Sequence, residues 1–149
     1  MALKLHRPNT AEGKEYILEQ HFHEFRYVAP WGFVPVPLTS GGGSYNWGNY
    51  AEILGAGKEP LPFDIHWVIV SGASADADYE IELCYGADDT PCAQISFART
   101  VAQDRSESIQ CMTPIIPGGS RIRARCRDSV GSKSISIKIA YHHYDFYPT

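Results

Sequence analysis

Tyr79-Glu80-Ile81-Glu82-Leu83-Cys84-Tyr85 alternates two kinds of side chain without a break. Successive side chains of a strand point to opposite faces. One face therefore buries Tyr79, Ile81, Leu83 and Tyr85, and the other carries Glu80, Glu82 and Cys84. Two stretches downstream obey the same rule. Ile135, Ile137, Ile139 and Tyr141 alternate with Ser134, Ser136, Lys138 and Ala140, and Ile122, Ala124 and Cys126 alternate with Arg121, Arg123, Arg125 and Arg127. Ala93, Ile95 and Phe97 repeat the pattern, Ile109 with Cys111 gives a shorter version, and Pro62–Ser71 is apolar enough for a central strand.

Six strands thus follow from residue 63 onward, separated by turn chemistry: Ser71–Ser74, Gly86–Pro91, Gln103–Arg105, Pro117–Gly119 and Asp128–Ser132. Short strands with this punctuation imply a sandwich or barrel. Residues 1–62 read differently, as an N-terminal arm and first strands. Pro30, Pro35, Pro37, Pro60 and Pro62 interrupt regular pairing, and within the glycine-rich loop 39–48 the run Thr39–Ser44 reads as a flexible connection. Short strands are expected at Tyr16–Gln20, Glu24–Val28, Phe33–Leu38 and Tyr50–Leu54, with a short helix near Thr10–Leu18. The expected fold is all-β, an antiparallel, jelly-roll-like β-sandwich of about eight strands, forming one structural domain whose main body is 63–149. A chain of 149 residues can bury ~70% of its unfolded surface without staples.

The formal charge of −4, with both signs interspersed, supplies no field to attract nucleic acid. The N-terminus, Met1-Ala2-Leu3-Lys4-Leu5-His6-Arg7-Pro8, has no signal-like apolar core, and no apolar run is long enough to span a membrane. The protein is expected to be made and folded in a cytosol. Cys84, Cys92, Cys111 and Cys126 lack zinc-site spacing and read as small core fillers, although Cys84 and Cys92 flank one hairpin loop.

No motif fixes a chemistry. His21 with His23, and His142 beside His143, suggest a metal site, but no Asp, Glu or Cys partner stands at a recognisable spacing, so they read as surface or interface histidines and no metal or cofactor is expected. Asp76, Asp78 and Glu80 lack the glycine and distant glutamate of an EF-hand and read as a turn entering a strand. Asp88 with Asp89, and Glu80 with Glu82, read as surface acids. Neither a GxSxG elbow nor a phosphate-binding glycine loop occurs, so no catalytic residues and no enzyme activity are expected.

Two groups point to partners. Arg121, Arg123, Arg125 and Arg127 project from one strand face about 6.5–7 Å apart, a self-repelling row that reads as paired with acids such as Glu80, Glu82 or Glu107 or as simply solvent-exposed, and whose functional reading is docking on an acidic protein surface or a phosphate backbone. Trp31, Phe33, Tyr45, Trp47 and Tyr50 surround the glycine-rich loop, where they can serve as core, as protein-contact anchors or as a sugar platform.

Val70-Ser71-Gly72-Ala73-Ser74-Ala75-Asp76-Ala77-Asp78-Tyr79-Glu80, the turn Thr113-Pro114-Ile115-Ile116-Pro117 and the closing strand Ser134–Tyr144 carry a resemblance. Over about its last 80 residues the chain resembles jelly-roll cement or decoration proteins of tailed bacteriophages. The resemblance implies a virion structural protein on the capsid exterior that binds the major capsid protein as a homodimer or homotrimer and bridges capsomers, with no nucleic acid or membrane partner. The partner-binding residues would be Leu3, Leu5, Trp31, Phe33, Trp47, Tyr50, Arg121, Arg123, Arg125 and Arg127. A receptor- or glycan-binding module of a phage fibre or tailspike is the alternative, and a cupin-like enzyme a third class.

Overall fold

A computed structural model describes residues 27–32 and 34–144. The described residues form nine antiparallel strands, in chain order β1 (Tyr27–Ala29), β2 (Val36–Thr39), β3 (Ala51–Leu54), β4 (Phe63–Ser71), β5 (Ala77–Tyr85), β6 (Thr90–Arg99), β7 (Glu107–Gln110), β8 (Ile122–Asp128) and β9 (Ser134–His143). They form two sheets. One has the order β1-β9-β4-β7 with β2 also on β9, and the other has the order β3-β8-β5-β6. Only the β5–β6 hairpin stays within one sheet among the connections from β2 to β9; every other connection crosses, which is the winding of a jelly roll. The chain is therefore an all-β sandwich. The strand expected at Phe33–Leu38 is shorter, β2, and the expected Glu24–Val28 strand is described only as β1. The expected Thr10–Leu18 helix and Tyr16–Gln20 strand lie outside the described residues.

The ninth strand arises because β1 and β2 share one edge of β9. Tyr27–Ala29 pair with Tyr141–Ile139, and Val36–Thr39 pair with Ile137–Ser134. Between them Pro30 and Pro35, which cannot donate to a ladder, bracket a detour off the sheet.

The core lies between the sheets. Ile135, Ile137 and Ile139 of β9 meet Tyr79, Ile81 and Leu83 of β5, Ile122 and Ala124 of β8, and Phe63, Ile65, Val68 and Val70 of β4. Each large side chain removed from water there contributes ~1.5–3 kcal/mol. Residues 27–62 share this core through Ala29, Leu38, Ile53 and Leu54.

The loop 39–48, expected to be flexible, is tied down. Backbone hydrogen bonds run from Ser40 N to Lys133 O, Gly41 N to Asn46 O, Tyr45 N to Asp128 O, Gly48 N to Cys126 O and Ser132 N to Gly41 O. Glycine here permits close approach: a Cβ on Gly48 would lie 1.7 Å from Thr39 O. Asp128 organises the junction from a fully buried position, accepting hydrogen bonds from Ser40 Oγ and from the N–H groups of Val130, Gly131 and Lys133. Burial alone would raise its pKa, but these hydrogen bonds outweigh it and hold the carboxyl below the usual range.

Candidate functional site

Alternation along β8 turns Ile122, Ala124, Cys126 and Asp128 inward and Arg123, Arg125 and Arg127 outward. The register then pairs Glu80 with Arg127 and Glu82 with Arg125 across β5. Arg127 Nε meets Glu80 Oε2, Arg125 Nη2 lies 2.8 Å from Glu82 Oε1, and Arg123 holds Asp89 through Nε and Nη2. Arg121, one residue before β8, donates to the carbonyls of Gly86 at 3.0 Å and Ala87 at 2.9 Å, fastening the β5–β6 turn. Of the acids expected to offset this row, Glu107 does not; it lies on β7 of the other sheet and pairs with Arg99, at the end of β6, at 3.0 Å.

Aromatic rings cover the row. Tyr50 lies against Arg123 and Arg125, with guanidinium carbons 4.9 and 4.7 Å from its centroid, and Trp47 lies against Arg125 and Arg127 at 4.8 and 4.4 Å. Both rings are half-buried. Tyr50 also covers Cys84, whose Sγ lies 3.8 Å from its hydroxyl, so a thiol expected on the outward face is fully buried. Burial pushes the thiols of Cys84 and Cys111 up to about 11 and those of Cys92 and Cys126 up to about 12, which keeps all four protonated at neutral pH.

The same two rings line a groove of about 390 Å³ running between β2 and β3, where the edges of the two sheets meet. Pro37, Leu38, Thr39, Ser40 and Asn49 complete its walls. Trp31 stands apart, on the detour between β1 and β2. Lys138 Nζ, on the outward face of β9, donates to Gly32 O and pins the detour, which leaves Trp31 69% and Val34 78% exposed. The candidate partner residues therefore divide. Trp47, Tyr50 and the four arginines form one lattice, and Trp31 belongs to the opposite sheet. Leu3, Leu5, Phe33, His21 and His23 lie outside the described residues.

The histidine expectation needs correction. His142 is 3% exposed, and His143 Nδ1 lies 3.2 Å from Glu59 Oε2, so neither is a free surface histidine. The register of β4 on β9 sets Asp64 directly opposite His142. Asp64 Oδ1 meets His142 Nδ1 at 2.5 Å and His66 Nε2 at 3.0 Å, while Tyr144 donates to Oδ2 at 2.9 Å. Asp64, His66 and His142 each offer a ligand atom, all within 4.8 Å of one another. A carboxylate partner for His142 thus exists 78 residues earlier in the chain, on a neighbouring strand. The available signal was Asp64-Ile65-His66, two polar side chains at strand period within an otherwise apolar strand.

No family model matches the sequence, and no curated protein matches it. Solved structures with a similar shape include the C-terminal CBM6 of the marine laminarinase LamC from Zobellia galactanivorans, at 10% identity and a TM-score of 0.48, covering 79% of this chain and all of that one. Another is the carbohydrate-binding module CBM6cm-2 of Cellvibrio mixtus lichenase 5A in complex with cellotriose, at 11% identity and a TM-score of 0.37, covering 80% of this chain and 87% of that one. A third is the VP2 subviral particle of infectious bursal disease virus, at 19% identity and a TM-score of 0.41, covering 83% of this chain and 34% of that one.

Proposed function

We propose that this protein is a non-catalytic virion structural protein, a capsid cement or decoration protein that docks on the outside of an icosahedral phage head and bridges neighbouring capsomers. The supporting observation is the exposure of Trp31 and Val34 between β1 and β2, where Lys138 Nζ donates to Gly32 O beside Trp31. A large aromatic side chain presented on a braced backbone is an effective interface anchor, because little conformational freedom is lost when it is buried. Mixing the purified full chain with empty capsids should give saturable, symmetric occupancy and greater resistance of the capsids to heat. Trp31→Ala should weaken occupancy while thermal unfolding of the free protein is unchanged. No occupancy at micromolar protein defeats the reading.

A second reading, a glycan-binding module of a fibre or tailspike, is favoured by the groove between β2 and β3. Half-buried Trp47 and Tyr50 line it beside polar Thr39 and Asn49, which suits stacking of a sugar ring with lateral hydrogen bonds. Titration with oligosaccharides should quench or shift tryptophan fluorescence in the parent and not in Trp47→Ala. Binding retained by Trp47→Ala excludes the groove.

A further inference from the structure

We infer that Asp64, His66 and His142 form a binding site for a divalent transition-metal ion, of which zinc is the best fit, on the outward face of the β4–β9 pair. His66 Nε2, His142 Nδ1 and Asp64 Oδ1 are the ligand atoms, and all three lie within 4.8 Å of one another. Two imidazole nitrogens and one carboxylate oxygen match the three-protein-ligand zinc sites that keep a fourth position for water.

Three observations besides proximity support this assignment. First, His66 falls at the register irregularity between Ile65 and Trp67, where β4 passes two residues against one step of β9. A bulge of this kind re-aims a side chain, and here it accompanies convergence of the His66 and His142 rings, whose centroids are 4.5 Å apart in an edge-on arrangement. Second, Asp64 is buried, and its only ion-pair partners among the described residues are these two histidines. A buried carboxylate facing imidazole rather than lysine or arginine is compensated fully when a dication lies between the three groups. Third, Tyr144 already occupies Asp64 Oδ2, leaving Oδ1 to the ligand position; an oriented carboxylate of this type is the usual support of a metal site. Tetrahedral zinc with bonds of ~2.0–2.1 Å separates its ligand atoms by ~3.3 Å, so the Asp64 Oδ1 contacts of 3.0 and 2.5 Å to the two rings need to open by less than ~1 Å, and the two imidazole nitrogens, within 4.8 Å of each other, need to close by at most ~1.5 Å.

The test uses the full chain freed of metal with a chelator and titrated with Zn(II) by calorimetry and with Co(II) by visible absorption. One equivalent of each should bind, cobalt with the intense visible bands of a four-coordinate site, and zinc should raise the unfolding temperature. His66→Ala removes one of three ligands and should lower affinity by more than ~100-fold and abolish the cobalt bands. Tyr144→Phe should lower affinity by ~10-fold, the effect of losing a supporting hydrogen bond. If His66→Ala misfolds by circular dichroism, the half-buried position allows His66→Gln as the readout. Absence of stoichiometric binding by the parent overturns the inference. So does binding that persists unchanged in the folded His66 variant, since the ion is then held by other histidines.

Discussion

The two outward faces of the sandwich handle charge in opposite ways. On the β3-β8-β5-β6 sheet, four guanidinium groups meet Glu80, Glu82 and Asp89 at the surface, with each arginine side chain 26–29% exposed and with Trp47 and Tyr50 laid over the row. On the β4–β9 pair, one carboxylate meets two imidazoles in a setting where Asp64 and His142 side chains are only 8% and 4% exposed. Water shares the work of solvation on the first face, so each contact contributes little and the lattice tolerates loss of a member. On the second, each group depends on its protein neighbours more than on water, and removing one costs more. The first arrangement suits a stiff, nearly neutral platform; the second suits a site that recognises one small charged ligand.

The largest test of that contrast is Asp64→Ala, which removes the carboxylate that buried His142 and half-buried His66 both meet and should cost about 3 kcal/mol in urea unfolding of metal-free protein, where breaking a buried pair costs ~3–5 kcal/mol. A loss below ~1 kcal/mol would place the cluster with the surface lattice. Next in size is a pH effect at Asp128, which joins the loop 39–48 to the end of β8. Its folded pKa lies below the unfolded value of ~3.9, so its contribution is complete above that value and disappears as pH falls through the depressed folded pKa. Acid unfolding followed by tyrosine and tryptophan fluorescence should therefore be less steep in Asp128→Asn, which is also less stable at neutral pH. An unchanged acid transition would remove Asp128 from the account.

Arg125→Ala should cost about 1 kcal/mol, since its partly exposed ion pair with Glu82 and its two ring contacts are each worth ~1 kcal/mol or less. A loss comparable to that of Asp64→Ala would erase the distinction between the faces. The smallest effect is that of salt. In a double-mutant cycle, coupling between Arg125 and Glu82 should shrink by a few tenths of a kcal/mol at 1 M salt, where screening acts within ~3 Å, while coupling between Asp64 and His142 stays constant.

How much of this was legible in the sequence varied with the range of the interaction. The inward set of β9, Ile135, Ile137, Ile139 and Tyr141, follows from period-two alternation and is buried as expected. So are Tyr79, Ile81 and Leu83, whereas Tyr85 at the strand end is only half-buried. The outward direction of Arg123, Arg125 and Arg127 was equally legible, and Glu80 and Glu82 were among the acids expected to meet them. The laying of Trp47 and Tyr50 over the arginines was not, because it depends on β3 docking beside β8 and on a glycine loop folded back by contacts to Ser132, Lys133 and Asp128. His142 looked solitary for the same reason: its carboxylate partner is adjacent only after β4 and β9 pair.

By itself, alternation determined which side chains share a face in the unbulged strands β8 and β9, because the pleat repeats every two residues wherever the strand later sits, whereas the bulge in β4 shifts the inward set from Phe63 and Ile65 to Val68 and Val70. Glycine, proline and Asp-rich turns likewise marked where strands from residue 63 onward end. Only the tertiary structure decided which faces oppose one another: the two-sheet winding, the assignment of Glu107 to Arg99, and the convergence of Asp64, His66 and His142. The reason is physical. A strand's own geometry is local, but its neighbours and register are chosen by how the whole set of apolar faces can be buried at once, and a slip of one residue would turn Asp64 and His142 into the core.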